Sequence, residues 1–163
     1  MSENKAEAPE AVVGNAGESA VAATKAAAFR TYIEKENIGG VQEHEVGDAV
    51  HSHVFRSNLP VQGQSLPFMI LIDDSVYTLI QVEIAAQLVT AEKKPGVAVY
   101  LNDLNDQYRM LKYGSDEMGN VLLTCSIPSG MDQFDPSLIV ALQIQGHLNA
   151  VYPDVMAKLW SKE

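Results

Sequence analysis

Two neighbouring strands, Leu66 to Ile72 and Val76 to Ile84, carry the most telling pattern of apolar and polar positions in this chain. In the first strand Leu66, Phe68, Ile70 and Ile72 point one way, while Met69 and Leu71 point the other. Strand side chains alternate with period two, so an antiparallel strand with one wet face reads apolar, then polar. This one is apolar on both faces. Helices are expected over one side of the sheet. The other side calls for a second layer, a second subunit or a partner.

The remaining elements follow from the same reading. Ser19 to Asn37 is rich in alanine, the strongest helix former, with Val21, Phe29, Tyr32 and Ile33 able to share a face and Gly39-Gly40 as a stop. Residues 41 to 50 are polar and read as a loop or an irregular edge strand. A strand is expected from His51 to Asn58, ended by Pro60 and Gly63, and Asp73-Asp74-Ser75 turns the hairpin. Pro95-Gly96 opens a second helix with Val97, Leu101, Leu104 and Tyr108 as its apolar stripe. Arg109 to Gly114 and Val121 to Ile127 form another hairpin through Met118-Gly119-Asn120. A last long helix starts at Asp135-Pro136, with Pro153 expected to kink or interrupt it. The prediction is an α+β fold: a five-stranded antiparallel sheet packed with three helices, in the order α-β-β-β-α-β-β-α.

The last helix is apolar over a wide arc. Phe134, Ala141, Leu142, Leu148, Tyr152, Val155, Met156 and Leu159 share it, with Val140, Ile144 and Val151 on one side and Leu138 and Trp160 on the other. That arc is on the order of 200°, about twice what a helix facing one core requires. Gln145 and Asn149 fall inside it. Together with the two-faced hairpin, the width points to an interface.

Composition narrows the class. The 163 residues suit one domain, and 47% hydrophobic content is ordinary for a globular chain. Residues 1–18 read as a disordered acidic, alanine-rich tail, with one domain over 19–163. The net charge is −10. The tail's Glu3, Glu7, Glu10 and Glu18 against Lys5 contribute −3, leaving −7 on the rest. Such a charge repels phosphate backbones and anionic lipid, so neither nucleic acid nor membrane is an expected partner. Apolar runs are too short to span a bilayer. Cys125 is the sole cysteine, so no internal disulfide can form. The N-terminus is acidic and small where a signal peptide is positive and apolar. A reducing cytoplasm is the expected location.

Several segments resemble the YbjN family, described as bacterial sensory transduction regulators. They are Val54-Phe55-Arg56-Ser57, Met69-Ile70-Leu71-Ile72-Asp73-Asp74, Leu101-Asn102-Asp103-Leu104-Asn105 with Lys112-Tyr113, and Phe134-Asp135-Pro136. The resemblance covers Phe29 to Trp160 and rests on structural motifs. It implies a fold similar to type III secretion chaperones, which are dimeric binders of unfolded protein segments, and it implies no catalytic residues.

No candidate chemistry assembles into a catalytic set. His44, His51 and His53 sit near Glu43, Glu45 and Asp48, a composition that could hold zinc or nickel, but the spacing matches no metal motif. A solvated lead-in to the sheet is the favoured reading. Cys125 reads as a small buried hydrophobe, although His147 could approach it in space. Asp73 and Asp74 diverge from a turn, and no glycine pattern cradles phosphate. Asn102 and Asn105 read as architectural amides at the helix–sheet junction. No cofactor is implied.

The sequence therefore predicts a non-enzymatic, cytoplasmic protein-binding module, chaperone-like or regulatory, acting as a homodimer through apolar sheet and helix surfaces. The expected contact residues are Met69, Leu71, Tyr77, Leu79, Ile144, Val151 and Trp160. The alternative is a small-molecule or metal-responsive regulatory protein, using the His44–His53 segment or a pocket near Asn102 and Asn105.

Overall fold

The computed structural model describes residues 20–130 and 133–161; the tail expected over 1–18 lies outside them. The described chain is a mixed α+β fold. Helix α1 (Ala20–Lys35) leads into strands β1 (Gln42–Glu45), β2 (His53–Val61), β3 (Gln64–Ile72) and β4 (Tyr77–Ala85). Helix α2 (Lys94–Gln107), strands β5 (Leu111–Ser115) and β6 (Val121–Pro128), and helices α3 (Ser137–Ala141) and α4 (Ile144–Trp160) complete it. One antiparallel sheet has the order β1-β2-β3-β4-β6-β5.

The sheet has six strands, not five. The sixth is β1, within the stretch expected as a loop or an irregular edge strand; its Gln42-Glu43-His44-Glu45 is exposed throughout and pairs with His53 to Arg56. A short charged edge strand resists pairing with other chains, and it has no apolar alternation by which to be recognised. Strand β2 starts later and ends later than expected. His51 holds φ 52°, which breaks the strand before His53. Pro60 does not end it, because β1 stops opposite Arg56 and a locally unpaired edge can hold a residue lacking an N–H. The two-residue turn Gln62-Gly63 then takes φ 48° and 77°, the positive values that suit the strand twist of a tight hairpin.

Phe55, Ile70, Ile80 and Cys125 lie side by side across four strands, all at most 4% exposed, and form the core row of the inner face. Phe29 of α1 meets the Phe55 ring edge-on at 4.8 Å. Val97, Leu101 and Leu104 of α2, with Leu148, Val155 and Leu159 of α4, fill the same layer. At the far edge, the Asn105 amide donates to Tyr113 C=O at 3.0 Å and accepts from Tyr113 N–H at 2.6 Å. It occupies both main-chain groups of an edge-strand residue, the architectural role expected of it. Asn102 is exposed.

The last helix divides, but not at Pro153. The break is at Gln143, whose φ of 47° separates α3 from α4, while Pro153 lies inside α4. A proline frees the carbonyl four residues back, here that of Asn149. Gln62 Nε2 donates to that carbonyl at 2.7 Å. The Asn149 Oδ1 accepts Gln62 N–H at 3.1 Å, and Gln145 Nε2 donates to Pro60 C=O at 2.7 Å. The two amides inside the apolar arc thus clamp α4 onto the end of β2. At the other end of α4, Lys93 Nζ donates to Leu159 C=O at 2.7 Å, a cation placed at a helix C-terminus.

Charged groups fix α1. It has no acidic residue in its first turn, yet its first N–H groups have no partner within the helix. Asp74, from the β3–β4 turn, supplies one: its Oδ1 accepts Ala22 N–H at 3.0 Å. His51 Nδ1 donates to the other oxygen at 2.7 Å. Lys25, 1% exposed, donates to Ser75 C=O at 2.8 Å. Burial lowers the Lys25 pKa, partly offset by Asp73 and Asp74.

Candidate functional site

Between α1 and the α3–α4 junction the helix layer opens into a cleft of about 580 Å³. Phe29, Ile33, Ile38 and Val41 form one wall; Ile139, Val140 and Ile144 form the other. The floor is Leu59 of β2 with Phe68 and Ile70 of β3. Three features of the chain create this gap. The helix α1 ends before Ile38, Gly40 turns the chain with φ 74°, and the left-handed Gln143 swings α4 away from α3.

The polar groups of the cleft are uncharged: Ser57, Asn58, Gln143 and Gln145. No Asp, Glu, Lys, Arg or His is among the described residues lining it, in a chain that is 20% charged. Ile38 and Val140 remain 38% and 52% exposed. Sites that bind ligands are commonly concave, apolar and of roughly 300–1,000 Å³, with a few polar groups to orient the occupant. This cleft fits that description. Its lining comes from elements far apart in sequence, with no motif to mark it.

The contact residues expected from sequence fall on different surfaces. Met69, Leu71, Tyr77 and Leu79 share the sheet face opposite the helices, where Tyr77 is 53% exposed and the other three are half-buried. Ile144 requires a correction. It is 6% exposed and belongs to the core, because Gln143 turns the first residue of α4 inward toward the cleft floor. Val151 is half-buried against that core. Trp160 is 65% exposed at the end of α4, apart from the sheet face.

The open face is less apolar than strand β3 alone implied. In register across it run His44, Val54, Leu71, Leu79 and Ser126. The next row is Gln42, Arg56, Met69, Gln81, Thr124 and Lys112. One apolar stripe thus borders a polar one.

The histidines do not converge. His51 bonds Asp74, whereas His53 Nδ1 bonds Glu43 at 2.9 Å, with Arg30 on the same carboxylate at 3.3 Å. His44 is in register with Val54 on the opposite face. Among the described residues no group of three or more His, Cys, Asp or Glu could hold a metal ion. Cys125 is buried and its thiol pKa is raised by that burial, which disfavours the reactive thiolate.

His147 lies with Tyr113, whose hydroxyl shares a hydrogen bond with Nε2, and with Tyr108, whose ring meets it edge-on at 4.4 Å. Burial pushes the Tyr113 hydroxyl pKa up and the His147 imidazole pKa down. Burial withholds the water that would solvate an imidazolium here. The folded protein therefore binds this proton less readily than the unfolded chain. Stability from this group is full above the ordinary histidine value of about 6.5 and is lost as pH falls through the lower folded value. Thermal melts between about pH 7 and pH 5 should show that fall, and His147→Gln should flatten it. Equal slopes in the two proteins would contradict the assignment.

The fold and site thus define a helix-covered antiparallel sheet with a charge-free apolar cleft, and among the described residues no helix is long and apolar enough to cross a membrane. No protein-family model matches the chain, and no curated protein matches it.

Proposed function

We propose that this chain is a non-enzymatic, cytoplasmic protein-binding module, chaperone-like or regulatory, whose cleft takes an uncharged apolar segment of another protein. The observation that carries this reading is the absence of charge among the described residues lining a cleft of about 580 Å³. Burying a charged side chain there would leave it unpaired at a cost of several kcal/mol, whereas apolar side chains gain by leaving water. The likeness of Val54–Ser57, Met69–Asp74 and Phe134–Pro136 to YbjN segments, and through that family to secretion chaperones, agrees with this reading.

A random peptide library displayed on phage and panned against the full chain tests it. Enriched sequences should be apolar and uncharged. Charged sequences, or no enrichment over an unrelated acidic protein, would contradict it.

Self-association is a second reading, favoured by Tyr77, 53% exposed on the same face as Leu71 and Leu79. Light scattering over a dilution series should then show a dimer into the low micromolar range. Leu79→Asp should shift it to a folded monomer; if that variant merely unfolds, Leu79 is core and the sheet face is no interface.

A further inference from the structure

We infer that the cleft holds its occupant as an added β-strand, hydrogen-bonded to the main chain of β2 at Asn58. This rests on the reading of the cleft as a protein-binding site. The two-residue turn Gln62-Gly63 determines which main-chain groups of β2 face β3. Residues flanking such a turn exchange both hydrogen bonds, and every second pair along the hairpin does the same. Val61 with Gln64, Leu59 with Leu66, and Ser57 with Phe68 are therefore the bonded pairs. The even-numbered residues of β2 turn their N–H and C=O away from β3. The prolines agree with this phase: Pro60 and Pro67 both stand in the non-bonded pairs, where β2 and β3 need no donor from them. So does the far side of the strand, where Val46 N–H donates to Ser52 C=O at 2.9 Å.

Along that outward edge nearly every position has a use. Val54 and Arg56 face β1, in register with His44 and Gln42. Pro60 C=O accepts Gln145 Nε2, and Gln62 N–H is taken by Asn149 Oδ1. Asn58 lies in the gap between. Strand β1 has no residue in register with it, because the chain has already turned away at Gly40, whose carbonyl accepts the Ser57 hydroxyl at 3.0 Å. The Asn58 side chain shares the open face with Arg56, so the part of Asn58 that lines the cleft is its main chain.

A donor and an acceptor thus stand at the edge of an apolar cleft. An extended peptide pairs with both and places alternate side chains on the cleft side. An acyl chain could fill the apolar walls but would leave the Asn58 groups to water. The occupant is therefore an extended segment with apolar residues at alternate positions.

The test is a titration of the isotopically labelled full chain with the capped peptide acetyl-Val-Thr-Val-amide, short enough for the gap between Arg56 and Pro60, followed by amide NMR. Pairing through the main chain tolerates sequence, so this probe should bind, shift the Asn58 amide downfield and slow its exchange with solvent. Asn58→Pro removes the main-chain N–H and keeps the C=O, replacing a side chain that lies on the open face, at a position equivalent to Pro60, and should weaken binding about tenfold. Unchanged exchange at Asn58 on binding overturns the inference even if that variant fails to fold. Binding that survives Asn58→Pro but is lost in Val140→Asp overturns strand addition and leaves the cleft as a protein site. Laurate binding in the cleft with no peptide binding overturns both. A copy of the chain as occupant would appear as an Asn58-dependent dimer without peptide, and would overturn the assignment to another protein.

Discussion

Asp74→Ala is expected to lower the unfolding free energy by about 3 kcal/mol and to release α1 before the rest of the fold. The carboxylate does three things at once. It caps Ala22 N–H at 3.0 Å, receives His51 Nδ1 at 2.7 Å, and stands near the buried Lys25 ammonium. Without it, α1 loses both a hydrogen-bond acceptor and a negative charge at its positive end. Lys25, 1% exposed, keeps the Ser75 carbonyl but loses half of the nearby negative charge. Urea unfolding would measure the loss, and amide exchange would locate it in residues 20–35. Asp74→Asn should fall between the two, since it retains an acceptor oxygen but not the charge. An alanine variant within about 0.5 kcal/mol of the parent would contradict the role assigned to this turn.

Val140→Asp is expected to abolish capture of apolar peptides, with a loss of at least about 100-fold, while leaving the fold intact. Val140 is 52% exposed, so its replacement disturbs little packing. It also lines a cleft in which no described residue is charged. A carboxylate at that position is solvated when the cleft is open and must be desolvated when an occupant enters. Leu138→Asp is the matched control. It lies on the same short helix, is 42% exposed, and is not part of the cleft lining. Peptides selected on the parent should bind it normally. Equal loss in both variants would mean that α3 responds to charge in general.

Much of the framework was legible in the sequence because hydrophobic periodicity reports local geometry. The alternation of Leu66, Phe68, Ile70 and Ile72 marked the core-facing side of β3, and Val97, Leu101 and Leu104 marked the buried stripe of α2. Strand β1 was harder to see, since Gln42 to Glu45 has no apolar residue and its side-chain tie to β2, Glu43 to His53, joins groups that composition does not pair. The division at Gln143 was hidden for a related reason: left-handed backbone at a glutamine leaves no compositional mark. That hidden break is why the arc over Phe134 to Trp160 looked so wide. One wheel cannot describe two helices with different orientations, and on it Ile144 falls at the margin of the arc although it is 6% exposed. Pro153 misled in the other direction, because the compensating donor, Gln62, is far away in sequence.

The site was less legible than the fold. A cleft assembled from Phe29, Leu59, Phe68 and Val140 is a property of tertiary packing, and each of those residues reads as ordinary core or surface alone. Asp73-Asp74 reads as turn chemistry from sequence; the second role of Asp74, as cap of a helix about fifty residues earlier in the chain, exists only in the fold. The amides Gln145 and Asn149 offered the one usable hint. Polar residues inside an apolar arc must find partners, and theirs are Pro60 at the end of β2 and Gln62 in the turn after it.

The most direct test of the cleft as the binding site is methyl NMR of the full chain with the tightest peptide from the display selection. Isoleucine methyls of Ile33, Ile38, Ile139 and Ile144 should give intermolecular Overhauser contacts to the peptide's apolar side chains, because all four line the cleft. Contacts to Leu71 and Leu79 on the opposite sheet face, with none to those isoleucines, would contradict the account.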